Sequence, residues 1–396
     1  MIADVPQDHP LLVQFRENPY PLYQFLLASA PVQWNDTLGA WTLARYADVV
    51  ASLTDARFSA DRTRQDLPEL AESYQFAKSM LVSDPPDHTR LRALVQKAFT
   101  PRMVEQLRPR IIAIVGELLD RIAQRDGAFD VIADFAHPLP VVVIAELLGV
   151  PAEDRVRFSE WSAVLAASLD PLVSEDLANR VPGARDAVDA YLRGIIAERR
   201  KQPRSDLISA LVAAEERGDV LSEPELVVMC RLLLIAGHET TVNLIGNGTN
   251  ALLRHPDQFA KLREDPGLIT SAIEELLRYD SPVQMTGRIA TEPVQFDGHT
   301  VQPGEWILPL LGAANHDPAQ FADPERLDIT RNPNAHVAFG RGIHFCLGAP
   351  LARLEGQIAI GALVRRFPSL ALAGEPVRRK QITLRGLQSL PVTAGV

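Results

Sequence analysis

Apolar residues recur at helical spacing along most of the chain, and the pattern gives way to shorter, strand-like runs in two places. The first is Val32 to Tyr46, where aromatic and β-branched residues flank Asp36 to Gly39, which predicts a hairpin. The second is Ile289 to Leu310, where Asp297-Gly298 and Pro303-Gly304 punctuate short apolar runs, as small antiparallel strands require. The clearest helix begins at Ser222. Ser222-Glu223-Pro224-Glu225 supplies an N-cap hydroxyl, a first-turn proline and a capping-box glutamate, and the helix should stop near His255-Pro256. Such a span is roughly 45 Å long, and Leu226 to Gly237 is apolar all round apart from Arg231, so it predicts a central helix enclosed by protein.

A polar group inside that helix calls for a reason. Ala236-Gly237-His238-Glu239-Thr240-Thr241 sets two small residues, an acid and hydroxyls there. Glycine weakens a helix interior and threonine can bond back to the preceding turn, so a local bulge or groove is expected. Small residues admit a flat ligand close to the backbone, and an acid beside a hydroxyl can pass protons into a dry cavity; a kink with a satisfied polar pair is the alternative. Further on, Glu275 and Arg278 share one helical face at i,i+3, and Arg326 in Pro324-Glu325-Arg326 offers a second guanidinium.

The stretch Phe339 to Gly348, FGRGIHFCLG, places Cys346 among Gly340, Gly342 and Gly348, glycines that permit positive φ and close backbone approach. A helix follows with Pro350 in its first turn, so Cys346 sits near a helix N-terminus, where free amides favour a thiolate. A covalent catalyst would need a histidine base, and His344 is the one close in sequence. A zinc site would need further ligands, and His344 and His336 are the nearby ones. Haem iron needs one thiolate and a cavity; an inert buried cysteine leaves the glycines unexplained. Cys230, in the apolar run of the central helix, reads as ordinary core.

Composition narrows the setting. In 396 residues, 46% are hydrophobic and 23% charged, an ordinary folded chain. A net charge of -10 argues against nucleic acid as the main partner. The N-terminus has no basic and apolar signal pattern, Leu139 to Val150 is too short to span a bilayer, and two distant cysteines build no disulfide framework. No membrane anchor and a cytoplasmic location are expected, and the glycosylation-like tripeptides at Asn35 and Asn247 carry no weight.

The three constellations, in this order, resemble the cytochrome P450 superfamily of haem-thiolate monooxygenases in its soluble bacterial form, across essentially the whole chain. FGRGIHFCLG fits the family's F-G-x-G-x-H-x-C-x-G signature, AGHETT its oxygen-binding motif, and Glu275 with Arg278 its E-x-x-R. The resemblance implies haem b (iron protoporphyrin IX) with Cys346 as iron ligand and Phe339 beside it. It implies that His88 and Arg92 in DPPDHTRLR, Arg288 and His344 neutralise the haem propionates. Ala236 and Gly237 would lie over the macrocycle, Thr240 would donate to bound oxygen with Glu239 relaying protons, and His238 falls at the motif's variable position. Glu275, Arg278 and Arg326 would form a structural ion network. Leu232, Ile235, Val283 and Gln284 correspond to pocket-lining positions.

The fold implied is mainly α with a small β-rich lobe, a triangular prism holding haem between the central distal helix and the proximal cysteine-loop helix, with residues 1–396 as one domain. Electrons would come from a ferredoxin or flavodoxin with its NAD(P)H-dependent reductase, docking on a basic face for which Arg102, Arg341 and Arg353 are candidates. The expected substrate is a hydrophobic small molecule such as a terpenoid, steroid, fatty acid or polyketide intermediate, and the expected state a monomer. A haem-thiolate protein that binds or senses a ligand without turnover is the alternative; the acid and hydroxyl at Glu239 and Thr240 favour the monooxygenase.

Overall fold

The central helix runs without interruption from Glu223 to Arg254 in the computed structural model, which describes residues 8–62, 79–125, 127–216 and 221–394. Its start is the capping box expected from the sequence: Ser222 Oγ accepts from the Glu225 amide, and the Glu225 carboxylate accepts from the Ser222 amide at 2.8 Å. The helix is long and apolar enough to cross a bilayer, but 78% of its apolar window is buried inside the protein, which makes it the core element of the fold. Helices Pro138–Leu148, Arg155–Ala167, Ile269–Tyr279 and Ala349–Arg366 pack around it. At Gly248 an added Cβ would come 3.0 Å from Ile360 and 3.1 Å from Leu276, so this glycine lets two of those neighbours seat closely.

Both strand regions form. Val32–Asn35 and Ala40–Leu43 pair antiparallel around the 36–39 turn, and Val294–Phe296 pairs with His299–Val301 through Asp297 (φ 48) and Gly298 (φ 81). The second region is more than a set of antiparallel strands. Trp306–Pro309 lies antiparallel to Arg288–Ala290 but parallel to Ala40–Leu43, with Trp41 opposite Ile307. The resulting five-stranded sheet joins residues 32–59 to residues 288–309. A second long-range pairing sets Pro391–Thr393 between Ala128–Asp130 and Ala371–Leu372. The main core surrounds the central helix, and smaller apolar clusters lie under the sheet and the N-terminal helices.

Candidate active site

The cysteine loop is pinned before it reaches Cys346. Gly340 and Gly342 take φ of 70° and 69°, and a Cβ on Gly342 would stand 2.4 Å from the Leu53 carbonyl oxygen. Gly348 differs from expectation: it has φ −77° as the N-cap of helix Ala349–Arg366, so its place needs no left-handed backbone. The Cys346 amide donates to the Phe339 carbonyl at 2.9 Å, closing the loop on itself. Burial pushes the Cys346 thiol up, while the Gly348 and Ala349 amides and the charges of Arg92 and Arg353 act the other way. The residue is deeply set among protein atoms yet keeps accessible surface, as a group lining a cleft does. The histidines considered as its partners are engaged elsewhere: His344 packs on His88 with ring centroids 4.3 Å apart, and His336 Nε2 lies 3.1 Å from Glu274.

Four basic groups converge beside this loop. His88 and Arg288 are buried, and the Arg92 guanidinium donates to the Phe345 carbonyl at 2.7 Å. Arg288 spends one nitrogen on the Gly287 carbonyl at 2.7 Å and on Thr286 Oγ1 at 3.3 Å. The groups oppose one another's charge. Burial, then Arg288, His88 and Arg92, drives His344 down to about 3, and burial with Arg62 brings Arg288 down to about 10. His88 is lowered by burial and by Arg92, and its Nε2 has no hydrogen-bond partner among the described residues. The acid that acts on them, Asp84, is bonded to Ser59 and to the Ala60 amide. Cations gathered around an orphaned donor fit a dianionic group, and the two carboxylates of haem b meet that demand.

On the central helix, Leu233, Ala236, Gly237 and Thr240 form a stripe of accessible positions amid buried ones, with Ala236 the most exposed of them. The groove comes from side-chain size, because the helix does not bulge. Thr240 Oγ1 donates back to the Ala236 carbonyl at 2.9 Å. Gly237 serves packing: its Cβ would lie 2.8 Å from Ile144, so the missing methyl lets helix Pro138–Leu148 approach. Glu239 is 3% exposed and turned from that stripe. Its carboxylate is held by the Arg379 guanidinium and faces His238 Nε2 at 3.6 Å. Burial alone would raise it, but His238, Arg379 and His137 hold it at about 2. Arg379 lies 140 residues away in sequence and no local signal points to it.

The family model for cytochrome P450 matches residues 40–266 and 267–394. The chain belongs to the cytochrome P450 family. It is 50% identical to "Cytochrome P450 107B1" of Saccharopolyspora erythraea, covering 90% of each chain. It is 48% identical to "Vitamin D(3) 25-hydroxylase" of Pseudonocardia autotrophica, covering 96% of this chain and 95% of that one. Among solved structures it matches P450BioI in complex with a hexadec-9Z-enoic acid ligated acyl carrier protein at TM-score 0.91 and 44% identity, covering 96% of this chain and 99% of that one. The protein is a haem-binding monooxygenase with the mainly helical P450 fold.

The ion network of this P450 differs from expectation in its third member. Glu275 and Arg278 are fully buried and paired bidentately at 2.8 and 2.9 Å. The second guanidinium on Glu275 is that of Arg331, at 3.1 Å, and not that of Arg326. The turn at Asp323 to Arg326 aims its carbonyls inward: Pro324 and Arg326 accept from Arg278, and Asp323 and Arg326 accept from Arg331. The Arg326 side chain is thereby turned out, and the residue is exposed. Nothing in the spacing distinguishes the two arginines.

The expected pocket residues also separate. Leu232 and Ile235 are buried at 5% and 2%, and Val283 is half-buried in a bridge with Leu384. The Gln284 amide is buried and engaged at both ends: Nε2 donates to the Ser281 carbonyl at 2.7 Å and Oε1 accepts from the Tyr23 hydroxyl at 2.9 Å, which turns it into the core. Phe339 is half-buried with the Arg353 guanidinium 4.6 Å over its ring. Arg353 is further bound at 2.7 Å to both oxygens of Glu274, and Arg341 reaches the Tyr46 hydroxyl at 3.3 Å, so Arg102 is the freely exposed member of the docking set.

Proposed function

We propose that this P450 inserts one oxygen atom from dioxygen into a hydrophobic natural product, with electrons from a separate ferredoxin or flavodoxin and its reductase. The relatives include a vitamin D(3) 25-hydroxylase and a P450 solved with a hexadec-9Z-enoic acid ligated acyl carrier protein, and both favour a large apolar substrate. The observation that carries the reading is the pairing of an accessible small-residue stripe on the buried central helix with an accessible, deeply set Cys346. In this reading Cys346 holds the iron, and His88, Arg92, Arg288 and His344 hold the propionates. When bound, the thiolate-ligated haem supplies dioxygen activation. Ala236 leaves the space above it, and Thr240 presents the hydroxyl that hands on a proton received by way of Glu239.

The absorption spectrum of the reduced, carbon monoxide-bound protein tests the iron ligand. A strongly red-shifted thiolate-type Soret band is expected, and its absence from folded, haem-loaded protein refutes the assignment of Cys346. A screen of terpenoids, steroids, free and carrier-bound fatty acids and macrolactones for low- to high-spin shifts, followed by product analysis, then tests the substrate class. Ligands that shift the spin state but give no product with a competent electron donor would favour a sensor.

A further inference from the structure

His238 fills the variable place in the AGHETT motif, and the site described above gives it no task. It is 1% exposed. Its Nδ1 lies 3.1 Å from the Leu234 carbonyl oxygen and 3.4 Å from Ser162 Oγ, while Nε2 faces Glu239 Oε1 at 3.6 Å and has no hydrogen-bond partner among the described residues. Neither neutral tautomer suits these surroundings. With the hydrogen on Nε2, the Nδ1 lone pair opposes a carbonyl; with it on Nδ1, the Nε2 lone pair opposes a carboxylate. The doubly protonated ring points a donor at both oxygens, and the buried Glu239 carboxylate, which Arg379 also holds, lies beside it as countercharge.

A polar line leads from this ring toward the surface. Ser162 stands one turn from Ser159 on the same face of helix Arg155–Ala167. Ser159 Oγ is 3.1 Å from Nε2 of His137, which is half-buried at the start of helix Pro138–Leu148. His137 is close enough to His238, Glu239 and Arg379 for their charges to act on it, and burial followed by His238 holds it below the usual histidine range, so a proton that reaches it is passed on rather than kept. Arg379, on the far side, fixes the second carboxylate oxygen.

We propose that His238 is a stored proton for the active site, donated from Nε2 to Glu239 and replaced from solvent by way of His137 and the Ser159–Ser162 pair. The step is a proton transfer alone: an N–H bond of the imidazolium breaks, an O–H bond of the Glu239 carboxyl forms, and the ring remains neutral with its hydrogen on Nδ1 facing Leu234. When Glu239 passes the proton toward Thr240, the neutral ring again faces a carboxylate and draws the next one. This rests on the reading of Glu239 and Thr240 as the proton-delivering pair.

The first test needs no substrate. Nitrogen-15 spectra of histidine-labelled, haem-loaded protein in its diamagnetic carbon monoxide form should show one ring with both nitrogens protonated at neutral pH. That signal should vanish in His238→Gln and move toward a neutral ring in Glu239→Gln. A neutral His238 ring in the unsubstituted protein overturns the proposal. The second test uses the compound giving the largest spin-state shift in the screen above, and compares variants that keep full haem content. Product formed per electron consumed should fall about tenfold in His238→Gln and several-fold in His137→Gln, the low end of what a positioned acid contributes, with hydrogen peroxide rising to match. If Thr240→Ala uncouples the reaction and His238→Gln does not, the stored-proton proposal fails while the delivery reading stands. If neither uncouples it, both fail.

Discussion

A buried group without a partner sets the terms on which its own charge can exist, and Glu355 shows this in isolation. It lies on helix Ala349–Arg366 at 1% exposure, its Oε2 has no hydrogen-bond partner among the described residues, and burial alone lifts it to about 8. An unfolded glutamate releases its proton near pH ~4.3, so across the window from there to about 8 the folded chain holds a proton that the unfolded chain has lost. Stability therefore falls as pH rises through that window and levels off above it. Glu355→Gln keeps the shape and cannot ionise. It should unfold at a higher temperature than the native chain, by a margin that grows by about 2–3 kcal/mol between about pH 6 and about pH 8. Thermal unfolding of haem-loaded protein at those two conditions measures it, and a margin that does not grow refutes neutral Glu355. Glu274 has the opposite sign. Burial would raise it, but hydrogen bonds from Arg353 and His336 hold it at about 2, so its contribution is present above pH ~4.3 and is lost as pH falls toward 2.

At the scale of elements, the Glu275 network ties helix Ile269–Tyr279 to the 322–334 loop, and which arginine does so follows from backbone direction. Arg331→Ala should remove one of two guanidiniums from a fully buried carboxylate and lower stability by about 3–5 kcal/mol, with loss of haem during purification. Arg326→Ala trims an exposed side chain and should stay within ~0.5 kcal/mol in urea unfolding, because the carbonyl that the network uses is kept. Glu275→Ala should fail to retain haem at all; a purified variant with full haem content would show the network to be dispensable. This contrast marks where sequence reading stops. The Ser222 capping box, the Asp297-Gly298 turn and the ends of the central helix are local patterns, and each forms as read, whereas the helix passes Gly237 and Thr240 with a groove and without the bulge. The choice of Arg331 over Arg326, the parallel pairing of Trp41 with Ile307 and the capture of Gln284 by Tyr23, 261 residues away, depend on contacts that no short window contains. Gly237 is the intermediate case: its smallness was legible, but the packing partner, Ile144, was not.

For the whole molecule, the cation cluster matters most, because it draws on three segments that the fold brings together. His88 and Arg92 come from helix Asp87–Ala98, Arg288 from strand Arg288–Ala290 and His344 from the cysteine loop. Each was readable as a candidate. Their mutual opposition was not, since it arises from proximity: burial first, and neighbouring positive charge after it, lowers both His344 and Arg288. In the proposed arrangement the haem propionates would act as the countercharge that lets these segments pack, so haem removal should loosen them more than the Glu275 network, which is balanced internally. Hydrogen exchange in haem-free protein should accelerate in 87–98, 288–290 and 342–348, and much less in 269–279. Reloading with haem whose propionates are esterified separates charge from bulk. The iron site and its thiolate spectrum should return, because Cys346 is untouched, while protection at 87–98 and 342–344 should not. Full protection with the esterified haem would show that the four basic residues hold the segments by packing alone, and would remove the electrostatic reason for their convergence.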